Sequence, residues 1–350
     1  AVLCLLLLAV SRYLDSRSEP AASVSAPEAA QADASGLEVH FLDIGQGDSA
    51  LLFCGDEALL IDGGKVKNNQ KLIARLKELE VDHLDAVICS HPDEDHCGGL
   101  SAVLASTRTD AFYCSVDSWH TKVFSDVTKY VAEQGISVTI PQAGDTFAFS
   151  DASVEFLGPV VDYGDDPNEG SLVARVRYGE TSFLFTGDMG FEAEDDMLAA
   201  GVDVSATVLK VAHHGSAGSS STEFLQAVHP QYAVISVGAD NDYGHPTEAA
   251  LNRLSACGIP VYRTDLLGEI IAVSDGKTVT ITSASNEAPP ASDAASQTAG
   301  SYGYVGNSSS KVVHLASCGK LPGESNRVYF ASLDEALAAG YCKHANCLGN

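Results

Sequence analysis

The sequence predicts an α/β protein in which two mixed β-sheets are covered by helices. Three observations lead there. Apolar strand-type runs fill residues 37–284 and are interleaved with helix-type stretches. The early strands are joined by tight turns such as Cys54-Gly55-Asp56-Glu57, whereas the later ones alternate with helices, which fits two mixed sheets better than one doubly wound parallel sheet. Several strands run into loops rich in His, Asp and Gly, so their ends carry chemistry.

Taken in order, strands are expected at 38–44, 49–54, 58–62, 84–89, 111–115, 153–157, 172–178, 181–186, 206–212, 232–237, 268–273 and 277–282. Helices are expected near 68–80, 98–106, 119–134, 191–200, 222–228 and 246–257. The run Leu84-Asp85-Ala86-Val87-Ile88-Cys89 reads as a buried strand, and Gly98-Gly99 as a turn that opens the next helix. Before this region, residues 1–15 begin with the apolar Ala1–Val10 and read as the remnant of a signal peptide or membrane anchor. Residues 16–36, rich in Ala, Ser, Pro and Glu, form a linker without an apolar face. A second linker, 285–300, separates the main region from a tail at 301–350.

The chain has 350 residues, 45% apolar, and a net charge of −27 from 47 acidic and 20 basic residues. Such a surface is well hydrated and opposes simple electrostatic capture of nucleic acid. The nine cysteines are scattered, so no disulfide framework organises the chain. Cys54, Cys89, Cys114 and Cys257 lie in or beside apolar runs and read as buried small hydrophobes.

The most informative stretch is Ser90-His91-Pro92-Asp93-Glu94-Asp95-His96, directly after the buried strand. Neutral imidazole and carboxylate are the ligands that borderline-hard divalent metals take. In an extended loop, residues 91, 93 and 95 point one way, and His96 turns to a second ion. Four further strand ends repeat the theme: Leu59–Ile61 into Asp62-Gly63-Gly64, Phe183–Phe185 into Thr186-Gly187-Asp188, Val208–Ala212 into His213-His214-Gly215-Ser216, and Val234–Val237 into the loop carrying Tyr243-Gly244-His245-Pro246. Five such strand ends point to one shared metal centre.

The order LIDGG, SHPDEDHCGG, FTGD, HHGS, YGHP resembles the metallo-β-lactamase superfamily, and within it the soluble domain of the ComEC competence DNA-uptake proteins. Asp43-Ile44-Gly45-Gln46-Gly47-Asp48 resembles that group's DVGQGD signature, and Asn168-Glu169-Gly170-Ser171-Leu172-Val173 its N..SLVL segment. The resemblance covers roughly 37–283 and implies an αββα sandwich with the metal site at one edge of the sheets. It implies two divalent ions, zinc or manganese, held by His91 and Asp93 on one side, by Asp95 and His96 on the other, and bridged by Asp188. His245 falls at the last ligand position. Asp93 stands where the superfamily has a histidine, as in the ComEC group. The histidine expected between 100 and 188 is missing, since His120 lies in an expected helix; His213 or His214 fills the gap. Asp62 corresponds to a buried aspartate that supports the loop. Two ions about 4 Å apart sharpen a bridging water into hydroxide. Asp95 orients it, His214 protonates the departing alkoxide, and Lys210 and Ser216 reach a phosphate.

In the tail, His314-x3-Cys318 and Cys342-Lys343-His344-Ala345-Asn346-Cys347 have zinc-ligand spacing, with a helix expected over 332–340 between them. The tail resembles the small zinc-binding module of Ada-type proteins, which implies one structural zinc on His314, Cys318, His344 and Cys347. A Cys–Cys disulfide is the alternative, since so small a tail needs a staple.

The function expected is that of an exported, monomeric, metal-dependent phosphodiesterase or nuclease acting on DNA, associated with the wall or membrane through its N-terminus. The alternatives are a phosphodiesterase on phosphorylcholine, teichoic acid or another small ester, and a non-catalytic wall- or DNA-binding protein.

Overall fold

The computed structural model describes residues 36–239 and 241–285 and, in the tail, 304–315, 318, 320–323, 326–330, 333–344 and 347. The apolar segment 1–15, the linker 16–36 except Gly36, and the linker 285–300 except Ser285 lie outside the described residues.

In chain order the strands are β1 (Leu37–Phe41), β2 (Ala50–Cys54), β3 (Glu57–Ile61), β4 (His83–Leu84), β5 (Ala86–Cys89), β6 (Arg108–Thr109), β7 (Phe112–Cys114), β8 (Val138–Thr139), β9 (Thr146–Phe149), β10 (Ala152–Gly158), β11 (Val173–Tyr178), β12 (Thr181–Phe185), β13 (Val208–Lys210), β14 (Tyr232–Ile235), β15 (Val261–Arg263), β16 (Ile270–Ser274) and β17 (Val279–Ser283). The tail adds β18 (Tyr304–Asn307), β19 (Val312–Leu315), β20 (Arg327–Phe330) and β21 (Cys342–Lys343). The α-helices are α1 (Asn69–Glu78), α2 (Glu94–Cys97), α3 (Leu100–Ser106), α4 (Lys122–Glu133), α5 (Phe191–Ala199), α6 (Thr222–Val228), α7 (Glu248–Ala256), α8 (Thr264–Leu267) and α9 (Leu333–Ala338).

One sheet runs β17-β16-β1-β2-β3-β5-β7-β8 and the other β15-β14-β13-β12-β11-β10-β9. Each is antiparallel on one side and parallel on the other: β3, β5, β7 and β8 are parallel in the first, and β12 to β15 in the second. The two sheets therefore share a layout, which agrees with the αββα expectation. Alternation puts one side chain in two on the inner faces. Val39, Phe41, Leu52, Leu59 and Ile88 of one sheet meet Val154, Phe156, Val176, Phe183 and Phe185 of the other. The outer face of the first sheet is covered by α1, α3 and α4 through Leu72, Leu76, Val103, Leu104, Phe124, Val127 and Val131. The second is covered by α5, α6 and α7 through Met197, Phe224, Leu225, Val228 and Leu254. Each such side chain contributes about 1.5–3 kcal/mol by leaving water.

Helix α4 shows why these elements form where they do. Thr121 caps its first turn by accepting from Phe124 N–H at 3.3 Å, and Phe124, Val127 and Val131 recur at helical spacing on one buried face. Helices α6 and α7 start the same way, on Ser221 and Thr247.

The structure departs from the sequence expectation in short elements. Strands β4, β6, β8, β9 and β15 have two to four residues, too few for apolar alternation to register. Gly98 and Gly99 form the expected turn before α3, and both have helical backbone angles. They are glycines because a Cβ there would strike the Gly64 and Gly63 carbonyls. The 91–96 segment is not extended throughout, since Glu94–Cys97 form one helical turn behind Asp93.

The tail forms its own sheet, β20-β18-β19-β21, around Val313, Phe330, Ala336 and Tyr341. Tyr329 of β20 shares a 2.9 Å hydrogen bond with Thr222 at the start of α6.

Candidate metal centre

The parallel halves of both sheets point their carboxyl ends to one edge. There β3 delivers Asp62, β5 delivers Ser90 and His91, β12 delivers Asp188, β13 leads to His213 and His214, and β14 leads to His245. This is where open α/β sheets collect ligands.

Asp62 holds the first loop in place. Its backbone is left-handed (φ 60°), and its carboxylate accepts from Ser90 N–H at 2.7 Å, Ser90 Oγ–H at 2.8 Å and His96 Nδ1 at 2.9 Å. With Nδ1 engaged, His96 presents Nε2 to the centre, 3.0 Å from Asp188 Oδ1. His91 is fully buried, and its Nδ1 lies 3.0 Å from Ser90 Oγ and 3.3 Å from Ser171 Oγ. Ser171 Oγ also accepts from Asp188 N–H at 3.1 Å, so one hydroxyl ties the two sheets together at the site. The rings of His91 and His96 are 4.1 Å apart.

Asp188 is the hub. Its Oδ1 faces His96, while its Oδ2 lies 3.6 Å from both His213 Nε2 and His214 Nε2. The two oxygens look toward different ligand groups, the disposition a bridging carboxylate needs. His213 and His214 both have left-handed backbone angles (φ 52°), a costly conformation that turns consecutive imidazoles into one cleft. His214 Nδ1 lies 2.9 Å from the Ser236 carbonyl and 3.1 Å from Asp48 Oδ1, so it carries the proton, and Nε2 faces Asp188 and Asp95. The ring of His245 is 5.5 Å from that of His213 and 6.5 Å from that of His214.

Asp93, Asp95, Asp188, His213, His214 and His245 line a cleft of about 190 Å³, and His91 and His96 lie fully buried beside Asp188. The expected neighbours His91 and Asp93 are within reach of each other, with His91 Nε2 3.9 Å from Asp93 Oδ2. His91, His96 and Asp188 place ligand atoms within 4.8 Å of one another, whereas Asp95 lies beside His214, with Oδ2 3.7 Å from Nε2. The helical turn α2 sets the His96 ring beside that of His91. The paired histidines differ in burial: His214 is buried, and His213, 30% exposed at the side chain, stands nearer solvent.

Lys210 corrects the sequence reading. It is 3% exposed and does not line the cleft; its Nζ sits 2.6 Å from Asp48 Oδ2 and donates to the Val211 carbonyl at 2.9 Å. Strand alternation turns it inward, beneath the centre, away from any substrate phosphate. His120 is exposed beside Trp119, clear of the cleft.

Asp48 is the residue sequence reasoning passed over. It was legible as part of the GQGD signature but had no assigned role. Positive φ at Gly45 and Gly47 lets that loop bend under α2, where Asp48 N–H donates to the Asp95 carbonyl at 3.0 Å. Asp48 groups with Asp188 and His214, and with Asp62 and His96. Gln46 and Asn168 also line the cleft.

The residues fit divalent ions on a direct observation. His91 Nε2, His214 Nε2 and His245 Nδ1 are buried without a hydrogen-bond partner among the described residues, while His96 Nε2 faces Asp188 Oδ1 at 3.0 Å and Asp48 Oδ1 faces His214 Nδ1 at 3.1 Å. Buried polar atoms rarely go unpaired, and imidazole and carboxylate atoms grouped this closely suit coordination of divalent ions. Electrostatics divides the imidazoles: burial opposes the charge on His96 and His214, but Asp188 with Asp62 or Asp48 outweighs it and raises the pKa of both. Burial, with His96 adjacent, holds the His91 pKa well below the usual range, and burial with His213 and His214 nearby lowers that of His245 to about 4; both are neutral ligands at pH 7. Burial opposes ionisation of Asp188, but His96 and His214 outweigh it and keep the carboxylate charged. Burial and Asp95 together raise the pKa of Asp93.

In the tail, His314, Cys318, His344 and Cys347 place their ligand atoms within 4.8 Å of one another. The two imidazoles stack at 4.0 Å, and His344 Nδ1 lies 3.2 Å from Cys347 Sγ and 3.8 Å from Cys318 Sγ. Leu315 N–H points at Cys347 Sγ at 3.4 Å. Cys318, Cys342 and Cys347 are free thiols, and Cys342 is exposed, outside the cluster. Two nitrogens and two sulfurs form a set that suits tetrahedral zinc.

Fold and site together define a metal-centre protein of the hydrolase type, and the comparisons give its family. Residues 42–239 match the metallo-beta-lactamase superfamily, and the chain belongs to that superfamily, whose members are generally metal-dependent hydrolases. It is similar to ComE operon protein 3 of Bacillus subtilis (strain 168), 31% identical over 251 residues covering 67% of this chain and 32% of that protein. It is also similar to Competence protein ComA of Neisseria gonorrhoeae, 36% identical over 230 residues covering 65% of this chain and 31% of that protein. The chain spans about a third of the length of these curated relatives. Among solved structures it is similar to the metallo-beta-lactamase fold protein YhfI from Bacillus subtilis, with a TM-score of 0.47 and 14% identity over 71% of this chain and 100% of that one.

Proposed function

We propose that the protein is a metal-dependent phosphodiesterase that cleaves DNA outside the cytoplasm. The observation that carries this reading is the grouping of buried ligand-type atoms of His91, His96, His214 and Asp48 around Asp188, in a chain related to competence proteins. Bound divalent ions, zinc or manganese, supply a hydroxide nucleophile at neutral pH and neutralise phosphoryl charge. The chain's own residues do the rest. His91, His96, His214, Asp188 and Asp48 bind and orient from below, while Asp93, Asp95 and His245 close the set at the cleft. Asp62, Ser90 and Ser171 hold the imidazoles in the tautomers required. His213, partly exposed beside Asp188, is placed to give a proton to the departing oxygen. The apolar residues Ala1–Val10 support export. The tail takes one zinc as a structural staple.

The test is hydrolysis of bis-p-nitrophenyl phosphate and of single- and double-stranded DNA with zinc and then manganese, beside Asp95→Ala and Asp188→Ala. Metal-dependent cleavage lost in both variants is expected. Equal activity in wild type and variants ends the proposal.

A further inference from the structure

At the rim of the metal cleft stands an exposed aromatic ring with a cation beside it. Tyr243 lines the cleft and is 58% exposed. Water gains nothing from such a ring, yet its loop is firmly built. Asn241 threads that loop: its Nδ2 donates to the Gly238 and His245 carbonyls at 2.8 and 2.7 Å, and its Oδ1 accepts from Tyr243 and His245 N–H at 3.2 and 3.0 Å. The ring lies 27° from parallel to His245, with centres 5.8 Å apart. Lys65 reaches across from the other sheet. Its Nζ is 3.3 Å from the Tyr243 hydroxyl, 5.0 Å from the ring centre and 3.8 Å from Asp95 Oδ2. No Lys or Arg lines the cleft among the described residues, so Lys65 is the cation at its mouth.

We propose that Tyr243 and Lys65 form a nucleotide subsite, in which a base flanking the scissile phosphodiester stacks on Tyr243 and the adjoining phosphate pairs with Lys65. This rests on the phosphodiesterase reading and names its substrate as single-stranded nucleic acid. A base offers its face to a protein ring only when it is out of the duplex. A chain of net charge −27 also lacks the long cationic track that duplex binding requires. Lys65 Nζ stands 3.8 Å from Asp95 Oδ2, a loose pairing that leaves its ammonium able to meet a phosphate.

The test is fluorescence anisotropy on the full chain loaded with zinc or manganese. The ligands are a short phosphorothioate oligothymidylate, which keeps its charge and resists cleavage, an abasic strand of equal length, and a duplex. Wild type is expected to bind oligothymidylate more tightly than either of the others. Tyr243→Ala weakens that binding about 5- to 150-fold and removes the preference over the abasic strand, while Tyr243→Phe retains it. Lys65→Gln weakens both single strands and lowers the slope of log affinity against log salt by about 0.7. Circular dichroism checks that each variant is folded. Unchanged affinity in Tyr243→Ala, or duplex bound as tightly as single strand, overturns the subsite. Hydrolysis of bis-p-nitrophenyl phosphate by wild type, run in parallel, separates the two failures: cleavage without base discrimination sinks only the subsite, and no cleavage with either metal sinks the underlying reading.

Discussion

Replacing Lys210 by Met tests the placement of that lysine most directly. The ammonium is paired with Asp48 at 2.6 Å, and both side chains are almost wholly removed from water. Burial opposes the charge on Asp48, and Lys210 and His214 outweigh it. Met keeps the volume and removes the charge, so a buried carboxylate loses its main partner. Breaking such a pair costs about 3–5 kcal/mol, largely from the uncompensated charge that remains. For a body of this size each kcal/mol moves the melting temperature about 2–4 °C, so Lys210→Met should melt about 6–20 °C below wild type. The measurement is urea and thermal unfolding in EDTA, so that no cation substitutes for the ammonium. Asp48→Asn combined with Lys210→Met removes both charges and should recover part of the loss, with a coupling energy up to about 3 kcal/mol. Strictly additive effects would refute the pairing. So would a Lys210→Met protein that melts like wild type and has a raised KM for a phosphodiester, because the ammonium would then face substrate.

Other changes follow from the same geometry. Asp62→Asn puts an amide where a carboxylate accepts three hydrogen bonds, and it should lower metal affinity about 10- to 100-fold by calorimetric titration. His40 is buried, and burial lowers its pKa, but hydrogen bonds to Glu269 and Glu38 raise it above 6.5 on balance; Glu269 is lowered below 4.5 because His40 and Arg75 outweigh its burial. The raised histidine stabilises fully below pH 6.5 and less as pH rises through its folded pKa; the lowered carboxylate stabilises above pH 4.5 and less as pH falls. The cost of His40→Gln should therefore peak between pH 4.5 and 6.5 in urea titrations, and a cost that grows toward pH 9 would contradict this. Cys347→Ser should remove one equivalent of zinc by elemental analysis and loosen the tail to proteolysis; unchanged zinc content would dismiss the tail site.

Much of the centre was legible because each ligand follows a short apolar strand in the chain. His91, Asp188 and His245 stand out that way, and so does Asp62. The helical turn at Glu94–Cys97 was not legible, since four residues between proline and glycine carry no period. That turn sets the His96 ring against that of His91. Asp48 was visible as a letter in a signature, but only the fold of Gly45–Gly47 carries it beneath the loop of a different strand. Lys210 misled because a lysine next to a ligand motif reads as a substrate contact, and nothing local says which face of β13 is inward.

The chain's own order of residues determined the class of fold, the run of strand ends and the candidate ligands, because those depend on local periodicity and on side-chain chemistry. Tertiary structure alone decided which oxygen of Asp188 faces which imidazole, that Lys210 neutralises Asp48 instead of a phosphate, and that Lys65 meets Tyr243. These are contacts between residues as much as 178 positions apart. They exist only because two sheets close on each other and bring their carboxyl edges together, and no short-range pattern encodes that closure.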